Sequence, residues 1–462
     1  MVFRRSVVTM FCKPVYLRVG IKVTISIIYY FVISAYAPLG LKWVNWHQML
    51  VRSAAENLFD NPWLFHLGLT QGHLDFNQID HYSRYPANYI VPSFQYVFHL
   101  SVINLLGADL WQKLVPIYHY CIVCSIALML SNLIEHELSS LAFYSKIKRR
   151  ISGTLLDDAI DVAVFSVFLF STWTYRAIIA PWQELHFLFF FCAAMVLWKK
   201  QASARFSPRR TGSLGTILPF ILYFLAVLNQ YQWGFFLGIF YSISLVFGVP
   251  SPKKMLYFPP SLSSYYQRLW HIFVSFSPTF LLLLQLYLLG KTHLGSSPMQ
   301  RIGLDTSASI HYGGFLSVFQ FMGGNRVTLC VANFNPSLIS SKIYAFNCIL
   351  SVASIFLLSC ISLVTIMLLI RSGHLPLSWF FLPVFFSFFF MAGVFQQSFS
   401  VHLMGYTIVY SIIFALGIVV AIFKFLSLFS DEPPIFFCFY FLALLFVSLS
   451  FVKNIYLTPV GG

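Results

Sequence analysis

The sequence predicts an all-α fold, a polytopic bundle of membrane-spanning helices, and three observations predict it. Only 9% of the 462 residues are charged, while 58% are hydrophobic and 19% aromatic. The apolar residues fall in runs of about 20, the length a helix needs to cross a hydrocarbon core. The basic residues gather in short clusters between those runs. Soluble domains carry roughly 25% charged residues, so a chain this poor in charge, with a mean hydropathy of +0.77, must turn most of its surface to lipid. The net charge of +15 would suggest nucleic acid in a soluble protein. Its clustering between apolar runs is a topology signal instead, and nucleic acid is not an expected partner.

About eleven runs qualify as spans, beginning near residues 23, 114, 159, 184, 214, 234, 270, 347, 376, 404 and 434. The fifth and sixth form one apolar stretch broken by NQYQWG, residues 229–234, which reads as a tight turn or a re-entrant bend. The first run follows the basic segment MVFRRSVVTMFCKPVYLRVGIK and reads as a retained signal anchor.

Counting Lys and Arg orients the chain. With the N-terminus cytoplasmic, the inner segments hold Arg4, Arg5, Lys13, Arg18, Lys22, Lys146, Lys148, Arg149, Arg150, Lys199, Lys200, Arg205, Arg209, Arg210, Lys253, Lys254, Arg268, Arg371 and Lys424. That is most of the 29 basic residues on short loops, as the positive-inside rule requires. Eleven spans then put the C-terminus outside. Residues 1–462 form a single membrane domain with two long outer loops, 41–113 between the first two helices and 291–346 further on. Between them they hold Trp, Tyr, Pro and His rather than Ser/Gly repeats, and they read as folded; long loops in compact proteins are usually functional or disordered.

Eight cysteines give no disulfide framework. Cys121 and Cys124 form a CxxC with no second pair, inside an apolar run, and read as small apolar fillers.

The acidic residues are few: 14 in all. Asp157 and Asp158 precede an apolar run, where carboxylates suit a helix N-terminus. Glu184 ends RAIIAPWQE and opens the run LHFLFFFCAAMVLW, at the outer boundary. A carboxylate beside lipid is a functional candidate; the plainer reading is a carboxylate stabilised by the helix dipole. The densest polar stretch is GHLDFNQIDHYSRYP, residues 72–86, with His73, Asp75, Asp80, His81, Tyr82, Arg84 and Tyr85. Its carboxylates suit a general base or a divalent metal, and its Arg and Tyr suit phosphate oxygens; an ordinary solvated loop is the alternative. FQQSFSVHLMGYT, residues 395–407, places His402 in a polar island between apolar runs. Arg301 and Arg326 in the second long loop are anion-contact candidates. FMGGNR lacks the GK[ST] ending of a P-loop.

The order of these segments resembles the GT-C glycosyltransferases, in particular the lipid-linked-sugar branch with protein O-mannosyltransferases and aminoarabinose transferases. WHQMLVRSAAENLFDNPWLF (46–65) looks like that family's first juxtamembrane helix. HYSRYPANYIVPSFQYVFHLSVINLLGADLWQKLVP (81–116) looks like its Pro-containing segment, down to Leu106 and Gly107. TWTYRAIIAPWQELHFLFFF (172–191) looks like its short second outer loop, and FQQSFSVHLMGYTIVYSIIFALG (395–417) like its late loop. The likeness covers roughly residues 20–235, and 390–425 more loosely.

The resemblance implies a transferase moving a sugar from a polyprenyl- or dolichyl-phosphate carrier, with inversion, to a glycan, lipid or protein acceptor on the outer face. The acceptor base would be Asp75, Asp80, His47 or Glu184. Phosphate and substrate contacts would come from Arg84, Tyr82, His81, Arg176, Arg301 and His402. No cofactor is required, and a divalent metal on Asp75 and Asp80 is compatible. Two departures stand out: the family's acidic residue after the first helix is replaced by Asn45-Trp46-His47-Gln48, and RYP replaces the usual His-Pro-Pro. Competing readings are a lipid-linked sugar transporter or flippase, an O-antigen-type polymerase, and a non-catalytic subunit of a glycosylation complex. The outer loops carry no N-x-[ST] sequon (Asn335 precedes Pro), which favours a bacterial inner membrane over the endoplasmic reticulum.

Overall fold

The computed structural model describes residues 14–36, most of 98–139, 149, 153–169, 174, 177–178, 183–204, 213–246, 265–290 and 384. All the elements assigned among these are helices. They are α1 (Pro14–Tyr36), α2 (Ala108–Ser139), α3 (Gly153–Leu169), α4 (Gln183–Ala204), α5 (Ser213–Asn229), α6 (Tyr231–Val246) and α7 (Tyr265–Gly290). Seven of the apolar runs thus coincide with helices; the four runs from 347 onward lie outside the described elements. One described stretch, Asp109–His136 in α2, is long and apolar enough by itself to cross a membrane.

The helix boundaries have local causes. α1 opens on Pro14, whose fixed φ suits the first helical turn and whose missing N–H is not needed there. A helical turn ahead of α2 closes on Gly107, whose N–H donates to the Ile103 carbonyl at 2.8 Å. Gly107 has φ 81°, a left-handed conformation that a side chain would strain. The next helix starts at once, with Asp109 in its first turn. Pro116, Pro219 and Pro278 lie inside α2, α5 and α7, each removing one backbone donor from its helix.

The core runs through α2, α3, α4, α5 and α6, and its largest side chains are aromatic: Phe165, Phe168, Phe187, Phe191, Trp198 and Tyr223 are each 2% exposed or less. α4 packs on both α2 and α5, α3 packs on α1 and α2, and α7 packs on α6 and α5. His271 of α7 ties the last four helices together. Its ring lies 4.9 Å from Trp198, 4.8 Å from Phe220, 5.5 Å from Tyr223 and 5.9 Å from Tyr241.

Those contacts settle the NQYQWG segment. Tyr223 and Tyr241 would stand about 27 Å apart on a straight helix at 1.5 Å per residue, yet both rings touch His271. The chain therefore reverses between α5 and α6, and the turn is tight. The Gln230 N–H donates to Ala226 O, closing α5, and Gln230 O accepts from the Gly234 N–H, opening α6, both at 3.2 Å. α6 then meets α7 closely through two glycines. A Cβ on Gly234 would lie 2.8 Å from the Ser275 carbonyl oxygen, and one on Gly238 2.9 Å from the Phe276 ring.

The helices place the polar residues at two opposite ends. At one end, Arg18 of α1 pairs with Asp158 of α3 and lies 3.4 Å from Glu135 of α2. One helical turn on, Lys22 Nζ sits 2.5 Å from Asp161 Oδ2, 3.3 Å from Ser131 Oγ and 5.6 Å from the Phe165 ring centre. This corrects the helix-terminus reading of Asp157 and Asp158. The first turn of α3 holds no acidic residue. Asp158 and Asp161 are held instead by the basic residues of α1, and Asp157 is buried beside them in sequence, at 9% exposure. On the same end, Lys199 of α4 donates to Asn132 Oδ1 at 2.8 Å and to Asn132 O at 3.1 Å.

Candidate functional site

The other end of the bundle gathers neutral polar groups and one carboxylate around the start of α4. Glu184 lies in the first turn of that helix, where the macrodipole favours an anion, and is 1% exposed. Gln230, fully buried at the α5–α6 turn, donates from Nε2 to Glu184 Oε1 at 2.8 Å. The helix terminus and a specific donor therefore both act on Glu184. The first-turn position is the one that the helix-dipole reading of Glu184 expects.

Two residues further along α4, some 200° around the helix at 3.6 residues per turn, His186 points to α2. Its Nε2 lies 3.0 Å from the Tyr118 hydroxyl. His119, also of α2 and fully buried, places Nδ1 3.2 Å from the Ile178 carbonyl oxygen. A carbonyl only accepts, so Nδ1 carries the hydrogen, and Nε2 is the basic nitrogen of the neutral ring. The His119 and His186 rings lie edge to face with centroids 6.1 Å apart. The start of α4 is thus flanked on one side by an imidazole pair with a phenol, and on the other by a carboxylate with an amide.

The α5–α6 turn adds more amides. Asn229 is 1% exposed and donates from Nδ2 to Leu225 O at 2.7 Å. Gln232 is 5% exposed and its Nε2 faces the Tyr231 hydroxyl at 3.5 Å. Thr279 of α7 reaches the same turn, with Oγ1 3.5 Å from Tyr231 O.

Of the residues that the sequence offers for base, phosphate or substrate contacts, only Glu184 lies among those described. His47, Asp75, Asp80, His81, Tyr82, Arg84, Arg176, Arg301 and His402 lie outside them, so no metal on Asp75 and Asp80 can be placed. Among the described residues no group of three or more His, Cys, Asp or Glu is arranged to hold a metal ion. Cys121, Cys124 and Cys192 are free thiols. Sequence reasoning missed Tyr118, His119, His186 and Gln230 as partners. The available signal was their position, near the ends of apolar runs that also carry Glu184 and the NQYQWG break.

Comparison with protein-family models, with curated proteins and with solved structures gave no match to this chain.

Proposed function

We propose that the chain is a multi-pass membrane glycosyltransferase with the GT-C arrangement. It transfers a sugar from a polyprenyl- or dolichyl-phosphate carrier to an acceptor on the outer face. One observation carries the reading: a buried carboxylate, Glu184, held by Gln230 at 2.8 Å, at the end of the bundle opposite the ion pairs. Glycosyl transfer from a lipid phosphate requires a base for the acceptor hydroxyl and polar groups at the sugar. Glu184 and the polar groups around the start of α4 are the candidates for these two tasks.

The membrane part of the proposal draws on an inside-out distribution. Val23, Ile27, Phe31, Trp270, Phe273 and Phe280 are all more than half exposed, while Asp161, Glu184 and His271 are buried. A protein dissolved in water reverses that preference.

The test is transfer of radiolabelled sugar from native lipid extract in membranes containing the wild type or Glu184→Gln, with folding of each checked by thermal denaturation. Transfer by the wild type and its loss in a well-folded Glu184→Gln support the reading. Absence of transfer with every lipid-linked donor overturns it.

A second reading, a lipid-linked sugar transporter, draws on the Lys22–Asp161 pair, since ionisable residues within spans often mark transport pathways. It predicts movement of the lipid across vesicles without transfer.

A further inference from the structure

Two buried acceptor oxygens at the α5–α6 turn receive no hydrogen bond among the described residues: Asn229 Oδ1 and Gln232 Oε1. They flank Gln230, whose own amide is engaged on Glu184. An unsatisfied buried polar atom is destabilising, and two within four residues, at the turn that anchors a buried carboxylate, mark a place built for a polar guest. From this juxtaposition we infer that the turn is the recognition site for a neutral, hydroxyl-rich group, namely the sugar of the carrier lipid. The inference rests on the transferase reading and names the residues that would select its donor.

The chemistry narrows the guest. The amide nitrogens of both residues are already committed, to Leu225 O and to the Tyr231 hydroxyl, so oxygen acceptors face the guest. Acceptor oxygens repel a phosphate or carboxylate and welcome a hydroxyl donor. Rotating either amide exchanges O for NH2, and a hydroxyl, which both donates and accepts, matches either orientation. Two of the hydrogen bonds around the turn, Thr279 to Tyr231 O and Gln232 to the Tyr231 hydroxyl, are 3.5 Å long, at the weak end of the range. Only the first of these crosses from α6 to α7, while the 2.8 Å Glu184–Gln230 bond holds the turn on α4.

The experiment measures binding of two probes to the full chain in nanodiscs. One is a set of polyprenyl phosphates each carrying a single neutral hexose or pentose; the other is polyprenyl phosphate without sugar. Wild type is compared with Asn229→Leu and Gln232→Met, which keep side-chain size and remove the amide, and thermal denaturation reports folding. The expected result is that the wild type prefers one sugar-bearing lipid, and that each variant loses that preference by roughly tenfold, the value of one neutral hydrogen bond. Affinity for the sugar-free lipid stays level. Equal preference in wild type and well-folded variants, as a structural water at these oxygens predicts, overturns the inference. If Glu184→Gln still abolishes transfer in that case, the transferase reading stands without it. Failure of the wild type to bind any of these lipids overturns both.

Discussion

Gln230 and Glu184 meet at 2.8 Å across 46 residues of sequence, joining the α5–α6 turn to the first turn of α4. The bond couples a helix reversal to a buried carboxylate, so substitutions at either end separate chemistry from folding. Glu184→Ala leaves the Gln230 amide buried without its acceptor and costs about 1–3 kcal/mol. Glu184→Gln keeps an acceptor oxygen and costs less than 1 kcal/mol on the same grounds. Thermal denaturation in detergent checks the order Gln before Ala. Loss of sugar transfer in both, despite the difference in stability, marks the carboxylate as chemically engaged.

The Lys22–Asp161 pair predicts that one change costs more than two. Lys22 and Asp161 side chains are 12% and 5% exposed, so removing one charge leaves the other buried. Lys22→Met alone costs about 3–5 kcal/mol. The double variant Lys22→Met with Asp161→Leu recovers most of that loss, because both desolvated charges are gone. A double-mutant cycle on thermal or chemical denaturation measures the coupling. Additive losses would mean that the pair contributes nothing as a pair.

The contrast between these two sites shows what was legible in the sequence. Glu184 was visible because a carboxylate opening an apolar run violates the local pattern. The NQYQWG break was visible for the same reason, as a polar interruption of an apolar stretch. Asp158 also lay in plain view, but its partner Arg18 lies in α1, more than a hundred residues earlier, and a helix terminus explained it locally without that partner. His119 and His186 were invisible as a pair. A single histidine in an apolar run has no periodic signature, and only the packing of α4 on α2 brings the two rings together. The first run was placed near residue 23, although α1 begins at Pro14. Arg18 and Lys22 lower the local hydropathy, while ion pairing with α2 and α3 lets them remain helical within the bundle.

Glycine substitutions on α6 should differ in cost. At Gly234 a new methyl meets a backbone oxygen, Ser275 O, at 2.8 Å, and the two helices must separate. At Gly238 it meets the Phe276 ring at 2.9 Å, and a side chain turns more easily than a backbone moves. Overpacking costs typically 1–3 kcal/mol. Gly234→Ala is therefore expected toward the upper end, about 3 kcal/mol, and Gly238→Ala toward about 1 kcal/mol. Comparing denaturation midpoints of the two variants is sufficient; equal midpoints would contradict the close approach of α6 to the α7 backbone.

The two ends of the bundle should face opposite sides of a membrane. Leu106, 48% exposed, lies just before α2 at the Tyr118 end, and Asn132 is exposed at the end that holds Lys199. In a chain with its eight native cysteines replaced, Leu106→Cys and Asn132→Cys are treated with a membrane-impermeant maleimide on intact cells and again after permeabilisation. Leu106→Cys is expected to label in intact cells, and Asn132→Cys only once the membrane is opened. Each site lies on a described helical segment, and α2 rises about 36 Å between Ala108 and Asn132 at 1.5 Å per residue, more than the roughly 30 Å hydrocarbon core. Labelling of both sites in intact cells would rule out a span between them. The reverse pattern would keep the span but invert the orientation, moving Glu184 and its neighbours to the cytoplasmic face, where a sugar-phosphate lipid made in the cytoplasm meets the protein before it is flipped.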